Sequence, residues 1–217
     1  PDTPVKLPGD LVLVADQTPG NYGVAVIDLS KIDLSNYDFE NNYCLIPEEA
    51  EIFRFSDVND VAGIKVRYSE VFGGYVILIS HGIGYATIVS YPDGEVLYET
   101  QSTGRGPHSI ELLPEGWLVV AAPGNKSSSY NDGSLSFFYA DPQNGSSSRR
   151  YSVTLANAHG VLYDPEGNCI WAVGNNVLKK YTYSITNNRI SVTEVLALTI
   201  PAADAHDLAA YYGDTNK

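Results

Sequence analysis

The chain has 217 residues, of which 44% are hydrophobic, 11% aromatic and 18% charged, enough apolar material for one buried core and too little charge for a disordered chain. Its 13 basic side chains face 26 acidic ones, a net charge of −13, so it lacks the residues for a basic surface and nucleic acid is excluded as an expected partner. No apolar run approaches the roughly 18 residues that a membrane helix requires, so no transmembrane span is expected.

The chain opens Pro-Asp-Thr-Pro and contains no methionine, which reads as a processed end and points to a secreted, extracellular protein. Segments 11–15, 22–28 and 51–55 are short apolar runs with the look of strands, and the Asn-, Tyr- and Glu-bearing stretch 30–49 between them reads as a surface loop. Strands are expected next over about 62–100, then at 108–113, 117–122, 133–140 and 149–155, and then at 159–163, 169–173, 176–184 and 190–199. Pro-Asp-Gly, Pro-Glu-Gly, Asn-Asp-Gly and Asn-Asn turns separate them, and no segment keeps a 3.6-residue period. Two sequons, at Asn125 and Asn144, lie in Ser/Gly/Asn-rich stretches suited to exposed loops and are the candidate glycosylation sites. Cys44 and Cys169 fit either one disulfide or two small buried apolar residues.

Internal repetition is the strongest signal. A short residue, a histidine, a small polar residue, an apolar one and a Gly-bearing turn recur around His108, His159 and His206, and a degenerate copy places Ala62 at the histidine position, giving spacings of 46, 51 and 47 residues. Four strands per unit of that length mark an all-β fold of four-stranded antiparallel propeller blades. The units run at approximately 11–55, 62–100, 108–155 and 159–199, with the start of another at 206, all in a single domain. The first unit lacks its first strand. Either the segment at His206 closes a small four-bladed ring, or the chain is part of a longer, nicked or incomplete ring, with the remaining blades on a separate polypeptide; the second is favoured, since four blades is the lower limit of the architecture.

The phrases His-Ser-Ile-Glu-Leu-Leu-Pro (108–114), Ala-His-Gly-Val-Leu-Tyr-Asp-Pro (158–165) and His-Asp-Leu-Ala-Ala-Tyr-Tyr (206–212) resemble those of a family of secreted microbial β-propellers of unknown function, over about residues 60 to 217. The resemblance implies a propeller, an extracellular location and a further strand beyond residue 217, and it implies no reaction.

A blade's first strand lines the central channel, so His108, His159 and His206 are expected to converge at one end of it. Imidazoles from successive blades could hold a divalent metal ion, or each could serve as a structural hydrogen-bonding residue of the repeat. Glu111 and Lys65 stand three residues beyond the histidine position, and Arg105, Asn157 and Asp207 flank it, so a channel-face binding site of His108, His159, His206, Glu111, Lys65, Arg105 and Asp207 is expected. Exposed tyrosines could stack on sugar rings, whereas Trp117 and Trp171 read as core. Walker, dinucleotide, nucleophile-elbow, His-Glu-x-x-His and Cys-x-x-Cys motifs are all absent. The expected function is binding of an extracellular ligand, a carbohydrate first and a protein partner second, or use as an interaction scaffold. The alternative is a metal-dependent polysaccharide lyase or hydrolase, with Glu111 or Lys65 as acid or base.

Overall fold

In the computed structural model, the structure describes residues 10–18, 22–33, 35, 46–58, 60–100, 103, 106–147, 151–201 and 205–210. Cys44, Arg105, Arg149, Arg150, Tyr211 and Tyr212 lie outside them.

Among the described residues, sixteen strands form four sheets in chain order. The first contains β1 (Leu11–Asp16), β2 (Gly23–Asp28) and β3 (Glu51–Phe55). The second contains β4 (Val61–Ser69), β5 (Gly74–His81), β6 (Tyr85–Ser90) and β7 (Val96–Thr100). The third is built from β8 (Ser109–Leu112), β9 (Trp117–Ala122), β10 (Ser134–Tyr139) and β12 (Tyr151–Thr154), and the fourth from β13 (Ala158–Asp164), β14 (Cys169–Gly174), β15 (Val177–Thr186) and β16 (Arg189–Thr199). Neighbouring strands in each are antiparallel. The two-residue β11 (Ser146–Ser147) adds to the outer edge of β7 in parallel. A flexible loop is the sequence expectation for that serine run; its backbone instead covers an edge whose N–H and C=O groups would otherwise lack a strand partner.

The sheets pack face to face, and alternation along their second strands shows how. In β9 every residue is buried: Trp117, Val119 and Ala121 pack with Val161, Ile170 and Ala172 of the fourth sheet, while Leu118 and Val120 pack with Leu78 and Ile88 of the second. β5 repeats the arrangement, with Ile77 and Ile79 turned to Val24 and Val26 of the first sheet and Val76 and Leu78 to the third. A strand sandwiched between two sheets reads as a continuous apolar run, which is why these segments lack the polar alternation that the outer strand β12 retains.

The innermost strands β4, β8 and β13 lie side by side around the channel. β1 packs against β4 as β9 packs against β13, so the first sheet holds second-, third- and fourth-strand positions and, among the described residues, lacks the innermost one. Residues 205–210 return to the inner side of β13, where the Leu208 amide would stand 2.9 Å from a Cβ placed on Gly160. Among the described residues the four sheets do not close into a ring.

Candidate functional site

Each histidine reaches the channel by its own backbone device. The His108 amide donates to the Ala121 carbonyl at 2.9 Å, fixing the residue just ahead of β8. His159 is the extra residue of a β-bulge: Ala158 pairs with Gly174 and Gly160 with Val173, so His159 has no ladder partner. A bulge re-aims a side chain that regular pleating would send elsewhere. His206 sits on the extended segment after β16, where the Ala205 amide donates to the Asn175 carbonyl at 3.1 Å. β4 carries the same bulge between Val61 and Gly63, with Ala62 as the extra residue, so the alignment of Ala62 with the histidines corresponds to a shared backbone irregularity. Gly63 is required there, because a Cβ would stand 2.4 Å from the His108 carbonyl oxygen.

The three rings converge. Their centroids are 4.5 Å apart for His108–His159 and His159–His206 and 6.3 Å for His108–His206. One ring nitrogen from each lies within 4.8 Å of the others. His159 Nδ1 is 2.9 Å from the Asn157 carbonyl, which only accepts, so Nδ1 carries the proton and the neutral ring's lone pair is on Nε2. Asn157 holds that carbonyl in place from a left-handed conformation (φ 51°), its own amide donating to Tyr130 at 2.9 Å. Burial pushes the His108 pKa down, the His159 and His206 rings push it further, and Asp60 opposes them. A half-buried imidazole held neutral keeps its lone pair for a cation.

Deeper in the channel is a charged network. The Glu111 side chain is fully buried and accepts from Arg67 Nε at 2.7 Å and Arg67 Nη2 at 2.6 Å. It also accepts from the Leu112 and Tyr163 amides at 3.0 and 3.3 Å, with Lys65 Nζ at 3.4 Å. Lys65 Nζ donates as well to the Val161 carbonyl, and the Val161 amide donates to Ser109 Oγ at 3.2 Å. Side chains from β4 and β8 therefore satisfy the inner edge of β13, which among the described residues has no strand beside it in its own sheet. Burial alone would raise the Glu111 pKa, but Lys65, Arg67 and the donated hydrogen bonds outweigh it and hold the carboxyl below its ordinary range. Burial pushes the Lys65 pKa down, with Glu111 opposing.

Of the residues expected from the sequence, His108, His159 and His206 come together, and Glu111 and Lys65 form the network beneath them. Asp207 is exposed next to His206, accepts from the Leu208 amide at 2.7 Å and acts electrostatically on Lys65. Arg105 lies outside the described residues. Asn125 Nδ2 donates to Asp132 at 2.8 Å and Asn144 Nδ2 donates to Asp141, both on exposed turns. Cys169 is a buried free thiol facing Asp164. Trp117 is core, as expected, whereas Trp171 is half-exposed under Lys180, 5.3 Å from the ring centroid.

Sequence reasoning missed Arg67, Ser109 and Asp60. Arg67 stands two residues beyond Lys65, on the same face of β4, and strand alternation is the signal that would have found it. Asp60 carried no such signal. The fourth histidine, His81, is not at the cluster; it is buried at the end of β5 against Thr87 and stacks on Tyr85 with centroids 3.9 Å apart.

Face-to-face sheets in sequence order, with innermost strands around a channel, define a β-propeller. Residues 44–217 match the family of unknown function DUF6528, and the chain belongs to that family. Among solved structures it is similar to a functionally unknown protein from Desulfotomaculum acetoxidans, at 14% identity and TM-score 0.59, covering 88% of this chain and 53% of that one. The WD40 domain of Toxoplasma gondii coronin matches at 10% identity and TM-score 0.57, over 88% of this chain and 43% of that one. The Swd1 β-propeller domain of Myceliophteria thermophila matches at 12% identity and TM-score 0.53, over 93% and 55%. The chain thus spans about half the length of these structures, and the likeness is one of fold. No curated protein matches it.

Proposed function

We propose that the channel end is a divalent metal centre of His108, His159 and His206, and that the protein uses it to bind an extracellular ligand. The convergence of three ring nitrogens within 4.8 Å carries this reading. Tetrahedral Zn²⁺ with nitrogens at about 2.05 Å requires them about 3.4 Å apart, so the cluster needs only a modest tightening. The exposed His206 is free to supply it. Three protein ligands leave a fourth position for water or ligand oxygen. A carbohydrate, rich in such oxygens, is the ligand class we favour. Binding is preferred to lyase or hydrolase chemistry because the oxygens of Glu111 are both engaged by donors, which withholds that carboxylate from acid or base duty.

Zinc titration with metal analysis is the test. One equivalent of Zn²⁺ per chain, lost in a folded variant with all three histidines replaced by alanine, is the expected result; unchanged zinc uptake by that variant would refute the centre. The extracellular setting rests on the two sequons, and a glycan mass on the natural protein is its check.

A second reading, as an interaction scaffold, is favoured by the outer face of the fourth sheet. Leu162, Trp171, Lys180 and Leu196 form one cross-strand row on it, and Val173, Leu178 and Leu198 another, with Leu196 and Leu198 exposed. Every other sheet junction buries such rows, so we infer that this face receives a further sheet of the same architecture, the remaining blades of the propeller. Native mass spectrometry showing a second polypeptide in the same particle would support its delivery on a separate chain.

A further inference from the structure

The charge beneath the histidines points to the chemistry of the ligand. Lys65 and Arg67 both face the one carboxylate of Glu111, so two cationic groups share one buried anion beneath the histidines. The Lys65 ammonium has three donors. Two go to Glu111 and the Val161 carbonyl, and the third has no partner among the described residues. Lys65 belongs to an innermost strand and keeps 14% of its side chain exposed. Its place relative to the histidines follows from its bond to the Val161 carbonyl, two residues after His159 on β13. Asp207, next to His206, acts electrostatically on the same ammonium from another segment. An oxyanion can place one oxygen on a metal ion and accept from an ammonium with another.

We propose that the ligand of this centre is a carboxylate, bound with one oxygen on the histidine-held metal and the other on the Lys65 ammonium; the proposal rests on the metal centre itself. A metal ion adds two positive charges above the Lys65 and Arg67 pair. A neutral ligand would leave the third Lys65 donor unused, whereas a carboxylate accepts from it and neutralises part of the charge. Acidic sugars belong to the proposed ligand class and carry this group, as do simple organic acids.

The test uses Co²⁺-loaded protein, whose visible absorption reports a change of metal ligand. Acetate and glucuronate should shift the band saturably, and acetamide and glucose should not; tighter binding of glucuronate than of acetate would identify an acidic sugar as the source. Lys65→Met should weaken acetate binding by about tenfold or more, the loss expected for a hydrogen bond to a charged group, while still taking up one equivalent of Co²⁺. Asp207→Asn, an exposed change that keeps the fold, should strengthen acetate binding about threefold by removing a nearby like charge. Acetamide acting as acetate does, or Lys65→Met binding acetate as the parent does, overturns the proposal while leaving the metal centre intact. If Lys65→Met does not fold, Asp207→Asn decides, and unchanged affinity there overturns it. Failure to take up Co²⁺ at all overturns the metal centre first.

Discussion

Replacing Glu111 by glutamine should destabilise the propeller severely, by an amount that can be worked from the bonds it makes. The carboxylate takes two bonds from Arg67, at 2.7 and 2.6 Å, and one each from the Leu112 and Tyr163 amides. Glutamine keeps one acceptor oxygen and turns the other position into a donor, which then faces a guanidinium or amide N–H. It also removes the only carboxylate in contact with Lys65 Nζ among the described residues. Breaking one partner out of a buried ionic group costs about 3–5 kcal/mol. With a urea m-value of about 2 kcal/mol/M, the unfolding midpoint should fall by about 1.5–2.5 M. The effect must depend on pH in one direction. The Glu111 pKa lies below its ordinary value of 4.5 in the folded chain, so its stabilisation is complete above that value and is lost as pH falls through the folded pKa. Midpoints measured from pH 7 downward should therefore converge for the parent and Glu111→Gln in acid. A midpoint shift under about 0.5 M at pH 7, or a gap that widens in acid, would refute the assigned network.

Gly63→Ala should destabilise the protein by about 2 kcal/mol or more and weaken zinc binding as well. Its Cβ would stand 2.4 Å from the His108 carbonyl oxygen, a backbone atom that can yield only by moving a ligand-bearing segment. Urea unfolding paired with zinc titration checks both effects. Ala62→His places an imidazole at the bulge position of β4 equivalent to that of His159 in β13. It should raise zinc affinity about tenfold or more and abolish the acetate response of the Co²⁺ form by filling the open position, as followed by metal competition and visible spectra.

Much of the fold was legible because propeller strands alternate between two different neighbours. The continuous apolar run at 117–122 is diagnostic of a strand covered on both sides, and strand β9 (Trp117–Ala122) has that burial. The histidines were legible for a related reason: they recur with the repeat, so one periodicity gives both the strand and its place on the channel. The charged network was read only in part. Lys65 and Glu111 share a register position and stood out, but Arg67 does not recur in the other units. Its role depends on the unpaired inner edge of β13, which exists only once the sheets are assembled. The serine run 146–148 reads as a loop in the sequence for the same reason, since β11 pairs with β7 (Val96–Thr100) of the second sheet and not with its chain neighbours in the third.

The bulge connects these levels. An innermost strand in regular pleat would direct alternate side chains toward its two neighbouring sheets, as Ile110 and Leu112 of β8 are directed into the core shared with the second sheet. One inserted residue breaks that alternation and presents a side chain to the channel. It costs little, since the ladder resumes at Gly160 opposite Val173, and the glycine after it lets the next segment close in. In β4 the same device presents only a methyl group, Ala62, so that strand adds no ligand to the cluster by the choice of a side chain rather than by the backbone. The proposed centre of three histidines with an open fourth position therefore rests on a repeat in which one unit carries alanine where three carry histidine.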